Sequence, residues 1–468
     1  MSTLNKQPHV VIIGGGIAGL SAAWYLQNSN YRVTVLEASE GLGGKVQSQM
    51  LETPSGDAII ETGPDGFLTR KPWAYQLAQD IGLSDELIGV NDTPERIYIL
   101  TRKGLQPMPQ GLQLLVPTDL EAFRQSDMFT LGGKLRMAVE QYIPPKDDDD
   151  DESLADFITR RLGAEALDKL GEPLLAGVFN ADPDKQSILA TFPNFRKLER
   201  DYGSLIKGMQ AIQARQSTPS SLPPLVSFKQ GMGTFAKALS KKLTCDLRLN
   251  APVQAITQAD DGYTITLNNE TLRADNLIIA TQADSASNLL KTVAPDTSQT
   301  LANIRYSGIA SVTLAYRRED VGHALDAYGV VVPSSVGVEI DGIQFASSKW
   351  DHRAPDDIAL IRAFFGGPQT RHMLDHDDDT ALAIVQRELE HLLNITGQPL
   401  SHRLLRWEQG YPQYDVGHLD LVAQIETSLP DGLYLAGNAY HGVGVPDTVH
   451  YSQQVAEQIL KLHIYKAP

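Results

Sequence analysis

Cysteine is nearly absent: Cys245 is the single one in 468 residues. One thiol excludes an intrachain disulfide, a cysteine-rich zinc site and a Cys-x-x-Cys redox pair, so redox chemistry would have to come from a bound cofactor. Long apolar runs are missing too, since nowhere do about 18 apolar residues follow one another, the length a membrane-crossing helix needs. The opening MSTLNKQPH is polar and carries no apolar stretch with a small-residue cleavage site. A cytoplasmic protein is expected, with peripheral membrane contact left open. Positive charge is also short, 40 Lys and Arg against 57 Asp and Glu, for a net charge of −17. The basic footprint that nucleic acid requires is therefore not in the composition. Ten of the negative charges sit in Asp147–Glu152 and around Asp375–Asp379. Consecutive carboxylates repel and lack EF-hand spacing, so these clusters are read as solvated surface and no metal is expected.

What is present begins with a βαβ unit. HVVIIGG (9–15) is an apolar β-branched run, IAGLSAAWYLQNSN (17–30) has helical spacing, and YRVTVLEA (31–38) is a second strand. A hairpin is expected at IYIL (97–100) and LQPMP (105–109), and residues 120–215 read mostly as helix. The proline-rich STPSSLPPL (217–225) reads as a loop that returns the chain to its first domain. Strands follow over 253–281, 304–318 and 358–366, then a helix at 381–396 and a closing strand, glycine turn and helix from 432 to 463.

Between the first strand and helix, Gly14, Gly16 and Gly19 form G-x-G-x-x-G around Ile17 and Ala18. Gly14 permits the tight turn, Gly16 lets a pyrophosphate approach the backbone, and Gly19 lets helix and strand pack closely. The helix start offers free N–H groups to the phosphates. Glu37, followed by Ala38, ends the second strand where a carboxylate can accept from both ribose hydroxyls and would repel a 2′-phosphate. The pattern specifies an adenine dinucleotide.

GLGGKVQS (41–48), with Gly43, Gly44 and Lys45, resembles the second glycine motif of the flavin amine oxidase superfamily. ETGPDGF (61–67), with Gly63, Pro64, Asp65 and Gly66, resembles the segment that passes under the isoalloxazine in that superfamily. LYLAGNAYHGVGVPDTV (433–449) is similar to its last cofactor segment. The resemblance implies FAD, with Gly437 and Asn438 by the pyrophosphate and Gly444 and Val445 aiming a helix start at the ring. It also implies a backbone contact from Val253 to adenine, and Trp407 and Tyr411 as packing aromatics near the flavin.

EPLLAGVFNADPDKQSILATFP (172–193) resembles the signature of the protoporphyrinogen and coproporphyrinogen oxidases, departing from it at Phe179, Asn180, Ala181 and Gln186. SSKWDHRAPDDIALIRAFFGG (347–367), GYPQYDVGHLD (410–420) and GVGVPD (442–447) are similar to further segments of these enzymes, the last to the bacterial type acting on coproporphyrinogen III. The resemblance implies hydride transfer from a porphyrinogen to FAD, with oxygen as final acceptor, hydrogen peroxide as product and possible contacts with other enzymes of heme synthesis. Protoporphyrinogen IX is the alternative substrate. A carotenoid desaturase, an amine oxidase and a non-catalytic porphyrin-binding flavoprotein are more distant alternatives. Propionate groups on the substrate call for cations, for which Lys71 and Arg96 are the candidates. Apolar walls are assigned to Val178, Phe179, Ile309 and Phe345. No catalytic side chain is required, His441 being a weak candidate proton acceptor.

The expected fold is a combination of α/β and α+β parts, amine oxidase-like. A Rossmann-like FAD domain takes 1–90, 222–285 and 405–468, a substrate-binding sheet domain 91–118 and 286–404, and a helical domain 119–221.

Overall fold

The computed structural model describes residues 7–215 and 222–466. The first six residues and positions 217–221 of the expected proline-rich loop lie outside the described residues.

The opening unit folds as its pattern requires. Strand β1 (His9–Ile13) is buried at all five positions, because it lies inside a five-stranded parallel sheet with both faces covered. Helix α1 (Ile17–Leu26) leads into strand β2 (Arg32–Leu36), which pairs in parallel with β1. The sheet runs Asp246–Arg248, β2, β1, Asn276–Ile279, Leu433–Leu435. Small residues on α1 (Ala18, Gly19, Ala22, Ala23) are buried, and the C-terminal helix Val445–Lys466 packs along it.

A second sheet has seven strands, ordered Ser401–Pro412, Tyr306–Arg317, Ile358–Phe365, Gly342–Phe345, Gly329–Val331, Tyr98–Thr101, Gly104–Pro107. The helix Asp378–Leu393 buries Ala381, Val385, Leu389 and Leu393, one stripe at four-residue spacing, in the core of this sheet. Asp377 caps that helix by accepting from Thr380 N at 2.8 Å, and Asp378 and Asp379 occupy its first turn. The acidic stretch is thus helix-terminus chemistry as well as solvated surface. A third core, from Leu115 to Met209 with Ile99 from the seven-stranded sheet, joins the helices of the middle of the chain. Inside it the buried Arg161 pairs with the buried Glu140.

Three cores support a three-part division, but several expected borders move. Strand Ser401–Pro412 crosses position 405 and pairs with Tyr306–Arg317 as far as Pro412, so it stays with the seven-stranded sheet. Leu290, Ala294, Leu301 and Ile304 pack into the core of the parallel sheet, carrying that unit past 285. Leu115 and Val116 belong to the helical core. With these shifts we propose the three parts as domains. The segment from 347 is a short helix, Ala346–Lys349, before its strand begins at Ile358. Val253 precedes the strand Ala255–Ala259 rather than lying in it.

Candidate active site

The carboxyl ends of β1, Asn276–Ile279 and Leu433–Leu435 face the inner side of the seven-stranded sheet across a cavity of about 440 Å³. One end of this cavity is backbone. Gly14 N donates to Leu36 O at 2.8 Å and takes φ +110°, a conformation open to glycine. A Cβ on Gly14 would stand 2.6 Å from Ala280 O, and one on Gly19 would stand 1.9 Å from Gly14 O. Gly16 differs: its Cβ would meet nothing nearer than Gly44 Cα at 3.9 Å. Gly16, Ile17, Ala18 and Gly43 line the cavity, and no side chain caps the start of α1. A polar surface of unfilled N–H groups with open space above it fits a pyrophosphate. Glu37 accepts from Gly15 N at 2.7 Å and from Ser39 N at 2.8 Å, which fixes its carboxylate at the tip of β2. The residues therefore fit an adenine dinucleotide.

Lys45 reaches into the same cavity. Its Nζ donates to Gln409 O and Gly410 O, each at 2.7 Å, and lies 5.8 Å from the Trp407 ring centroid. Burial pulls its pKa down to about 8, against a smaller opposing pull from Asp284. Trp407 lines the cavity and donates from Nε1 to Thr62 O at 2.7 Å, joining the sheet to the segment Gly63–Gly66. Gly63, Pro64 and Gly66 line the cavity, whereas Asp65 turns its carboxylate away. Asp65 accepts from Lys349 Nζ and Trp350 Nε1, each at 2.7 Å. Burial works to raise its pKa, but Lys349 and the other donors outweigh it and hold the carboxyl well below its usual range. Its role is to anchor the segment to the second sheet. Gly437, Asn438, Gly444 and Val445 complete the lining at the C-terminal turn and helix start.

The expected substrate residues divide. Lys71, Val178 and Ile309 line the cavity. Lys71 is already engaged, its Nζ 2.7 Å from both Asp447 oxygens. Phe179 and Phe345 do not line it. Phe179 is 8% exposed and packs beside Phe192 and Tyr414, while Phe345 is enclosed in the sheet core next to His323. Arg96 is exposed and does not line the cavity. His441 is likewise outside: its Nε2 sits 2.6 Å from Glu426 Oε1 and its ring 4.4 Å from that of Tyr451. The Glu426 carboxylate draws the imidazole away from the cavity. Gly44, Ala38 and Val253 are peripheral to it, Ala38 exposed and Val253 packed at the edge of the first core.

Sequence reasoning passed over Arg362, Ser311 and Phe364, which form much of the sheet wall. One signal was available: Arg362 interrupts an otherwise apolar strand, IALIRAFF. A charge inside such a run needs a partner or a purpose.

Comparison with known proteins agrees with this geometry. The family described as flavin containing amine oxidoreductase matches residues 17–460. Coproporphyrinogen III oxidase of Bacillus subtilis is 32% identical over 467 residues, spanning 97% of this chain and 98% of that protein. The chloroplastic protoporphyrinogen oxidase of Nicotiana tabacum is 30% identical, over 97% of this chain and 86% of its own length. A crystal structure from Exiguobacterium, assigned provisionally as a protoporphyrinogen oxidase, superposes with a TM-score of 0.84 at 31% identity, covering 97% of this chain and 99% of that one. With glycine backbone at one end of the cavity and near full-length matches to these enzymes, the chain belongs to the flavin containing amine oxidoreductase family, among its porphyrinogen oxidases.

Proposed function

We propose that the chain is an FAD-dependent oxidase that aromatises a porphyrinogen in heme synthesis, coproporphyrinogen III being favoured over protoporphyrinogen IX. The observation that carries the reading is one cavity with dinucleotide-type glycine backbone at one end and, at the other, a sheet wall of aromatic and aliphatic side chains around the cation Arg362. FAD bound there supplies a two-electron acceptor for hydride leaving a ring carbon. The protein's part is orientation and exclusion of water. Gly16, Ile17 and Ala18 offer N–H groups to the pyrophosphate, and Glu37 offers its carboxylate to the ribose. The Val445–Lys466 helix start, lined by Gly444 and Val445, offers its positive end to the ring. Phe67, Ile309, Phe364 and Trp407 supply apolar surface for the macrocycle. Lys71 at the mouth is the candidate partner for a propionate, once exchanged from Asp447.

Anaerobic mixing with coproporphyrinogen III tests the reading. Loss of flavin colour on anaerobic mixing is expected, then porphyrin fluorescence once oxygen is admitted, because the six-electron aromatisation takes three rounds of two-electron flavin reduction. Binding without bleaching would leave a porphyrin-binding flavoprotein. Parallel kcat/KM values for the two porphyrinogens decide the substrate. We also propose oxygen as acceptor, checked by one hydrogen peroxide released per hydride removed. Among the described residues no helix is long and apolar enough to cross a membrane. Peripheral contact is proposed at the exposed stripe Leu131, Leu135 and Val139, with Tyr142 beyond it; vesicle flotation tests that. Contact with other enzymes of heme synthesis is proposed for handing on the poorly soluble product, and co-purification tests it.

A further inference from the structure

Arg362 is a buried cation without a carboxylate of its own. It is 6% exposed, and its guanidinium donates from Nη1 to Gly63 O at 3.1 Å and from Nη2 to Ser311 Oγ at 3.2 Å. The Nε–H has no partner, and the face of the group lies 4.7 Å from the Phe364 ring. Five N–H donors thus meet two neutral acceptors.

The charges behind it do not cancel it. Asp65 is held by Lys349 at 2.7 Å, and Glu61 stands 3.5 Å from Arg353. Two carboxyl groups therefore face three cations in the layer below the cavity. Arg353 repeats the oddity, since its Nε is also unpartnered and both arginines line one small void of about 10 Å³. Buried charge left unbalanced is costly unless something arrives to balance it.

Two negative groups come to this cavity if the proposed function holds: substrate carboxylates, and the flavin ring once it has taken up hydride. Carboxylates sit on the rim of a porphyrinogen and suit the mouth, where the Lys71 side chain is 40% exposed. Arg362 is deep, and it grips the carbonyl of Gly63, in the segment whose resemblance runs along the isoalloxazine. We propose that Arg362 supplies the fixed positive charge that stabilises the flavin ring in its reduced, anionic form, and so raises the cofactor's potential. The inference rests on the flavin reading of the cavity but needs no particular substrate. An immobile charge in a low-dielectric site acts without reorganisation when electrons arrive.

Sulfite probes this charge directly, because it adds to the flavin ring through its sulfur lone pair, with no leaving group, and leaves negative charge there. Holoenzyme, Arg362→Met and Arg362→Lys are compared by sulfite dissociation constant and by two-electron midpoint potential. Arg362→Met should weaken sulfite binding at least tenfold and lower the potential by about 30 mV for each tenfold loss of reduced-state preference. Arg362→Lys should recover most of both. A Met variant within threefold of the parent, or a Lys variant no better than Met, overturns the inference. If the Met protein takes up no flavin, Arg362→Gln, which is uncharged but can still donate to Gly63 O, takes its place with the same expectations, and a Gln variant within threefold of the parent overturns the inference. A parent protein that holds no flavin sinks the proposed function itself; unchanged sulfite affinity sinks this inference alone.

Discussion

One end of the cavity excludes side chains, and the opposite wall is made of them. At the glycine end, Gly16 and Gly43 bring backbone to the surface, Gly14 and Gly19 allow the close packing behind it, and the recognition groups are N–H bonds of a helix start. At the sheet wall, Ile309, Ser311, Arg362, Phe364 and Trp407 come from three neighbouring strands separated by up to about a hundred residues. The first surface is written in two short stretches of sequence and tolerates almost no change. The second depends on strand register and should tolerate substitution in graded amounts.

The largest expected effect therefore lies at the glycine end. Gly19→Ala places a methyl group 1.9 Å from Gly14 O, a backbone atom that cannot rotate aside. Moving helix α1 to make room costs about 1–3 kcal/mol or more and pulls Gly16 away from its place at the cavity. Purified Gly19→Ala should have lost most of its flavin absorbance and several degrees of melting temperature. Full flavin content in that variant would show that this wall is less rigid than its contacts imply.

Behind the sheet wall the expected effect is one of pH. Burial raises the Glu61 pKa to about 7, outweighing Ser48, Arg353 and the Met232 amide, which act to lower it. A carboxyl whose folded pKa is raised gives its full stability below its unfolded value. That contribution is lost as pH rises through the folded value. The window is about pH 4.5 to 7 and the amount up to about 3 kcal/mol. His418 works in the opposite sense, since burial holds its ring near pKa 4 and its contribution is lost on acidification. The readout is therefore the difference between parent and Glu61→Gln in melting temperature against pH. Glu61→Gln should gain relative to the parent as pH rises from about 4.5 to 7. Parallel curves would mean that Glu61 stays ionised.

The same contrast explains what the sequence could and could not reveal. G-x-G-x-x-G, the acid at Glu37 and the GNAY turn are short and contiguous, and their geometry is fixed by backbone rules that hold in any fold. The two sheets were legible as classes of element, although Ser401–Pro412 was divided at 405 because its membership depends on pairing with Tyr306–Arg317. Phe179 and Phe345 are large and apolar, a property shared by core and pocket, so residue type alone does not place them. Only register sends Ile309 inward and encloses Phe345. Arg362 carried a visible signal, a charge in an apolar strand, but its direction was not in the sequence.

At the mouth of the cavity, the two expected cations should now behave differently. Lys71 lines the cavity and is paired with Asp447, while Arg96 is exposed and outside it. Lys71→Ala removes the cation and leaves Asp447 unpaired on the lining, so a carboxylate-bearing substrate loses an attraction and meets a repulsion. A rise in KM of about tenfold, or about 1.4 kcal/mol, is expected, with kcat little changed. Asp447→Asn is the complementary variant: it frees Lys71 without removing it, and KM should fall or hold. Arg96→Ala should change KM less than twofold, because a solvated cation outside the cavity is screened within about 10 Å at ordinary ionic strength. If Arg96→Ala raises KM as much as Lys71→Ala, the propionates are held outside the cavity, and the Lys71–Asp447 pair is a structural clasp between the loop and the C-terminal helix.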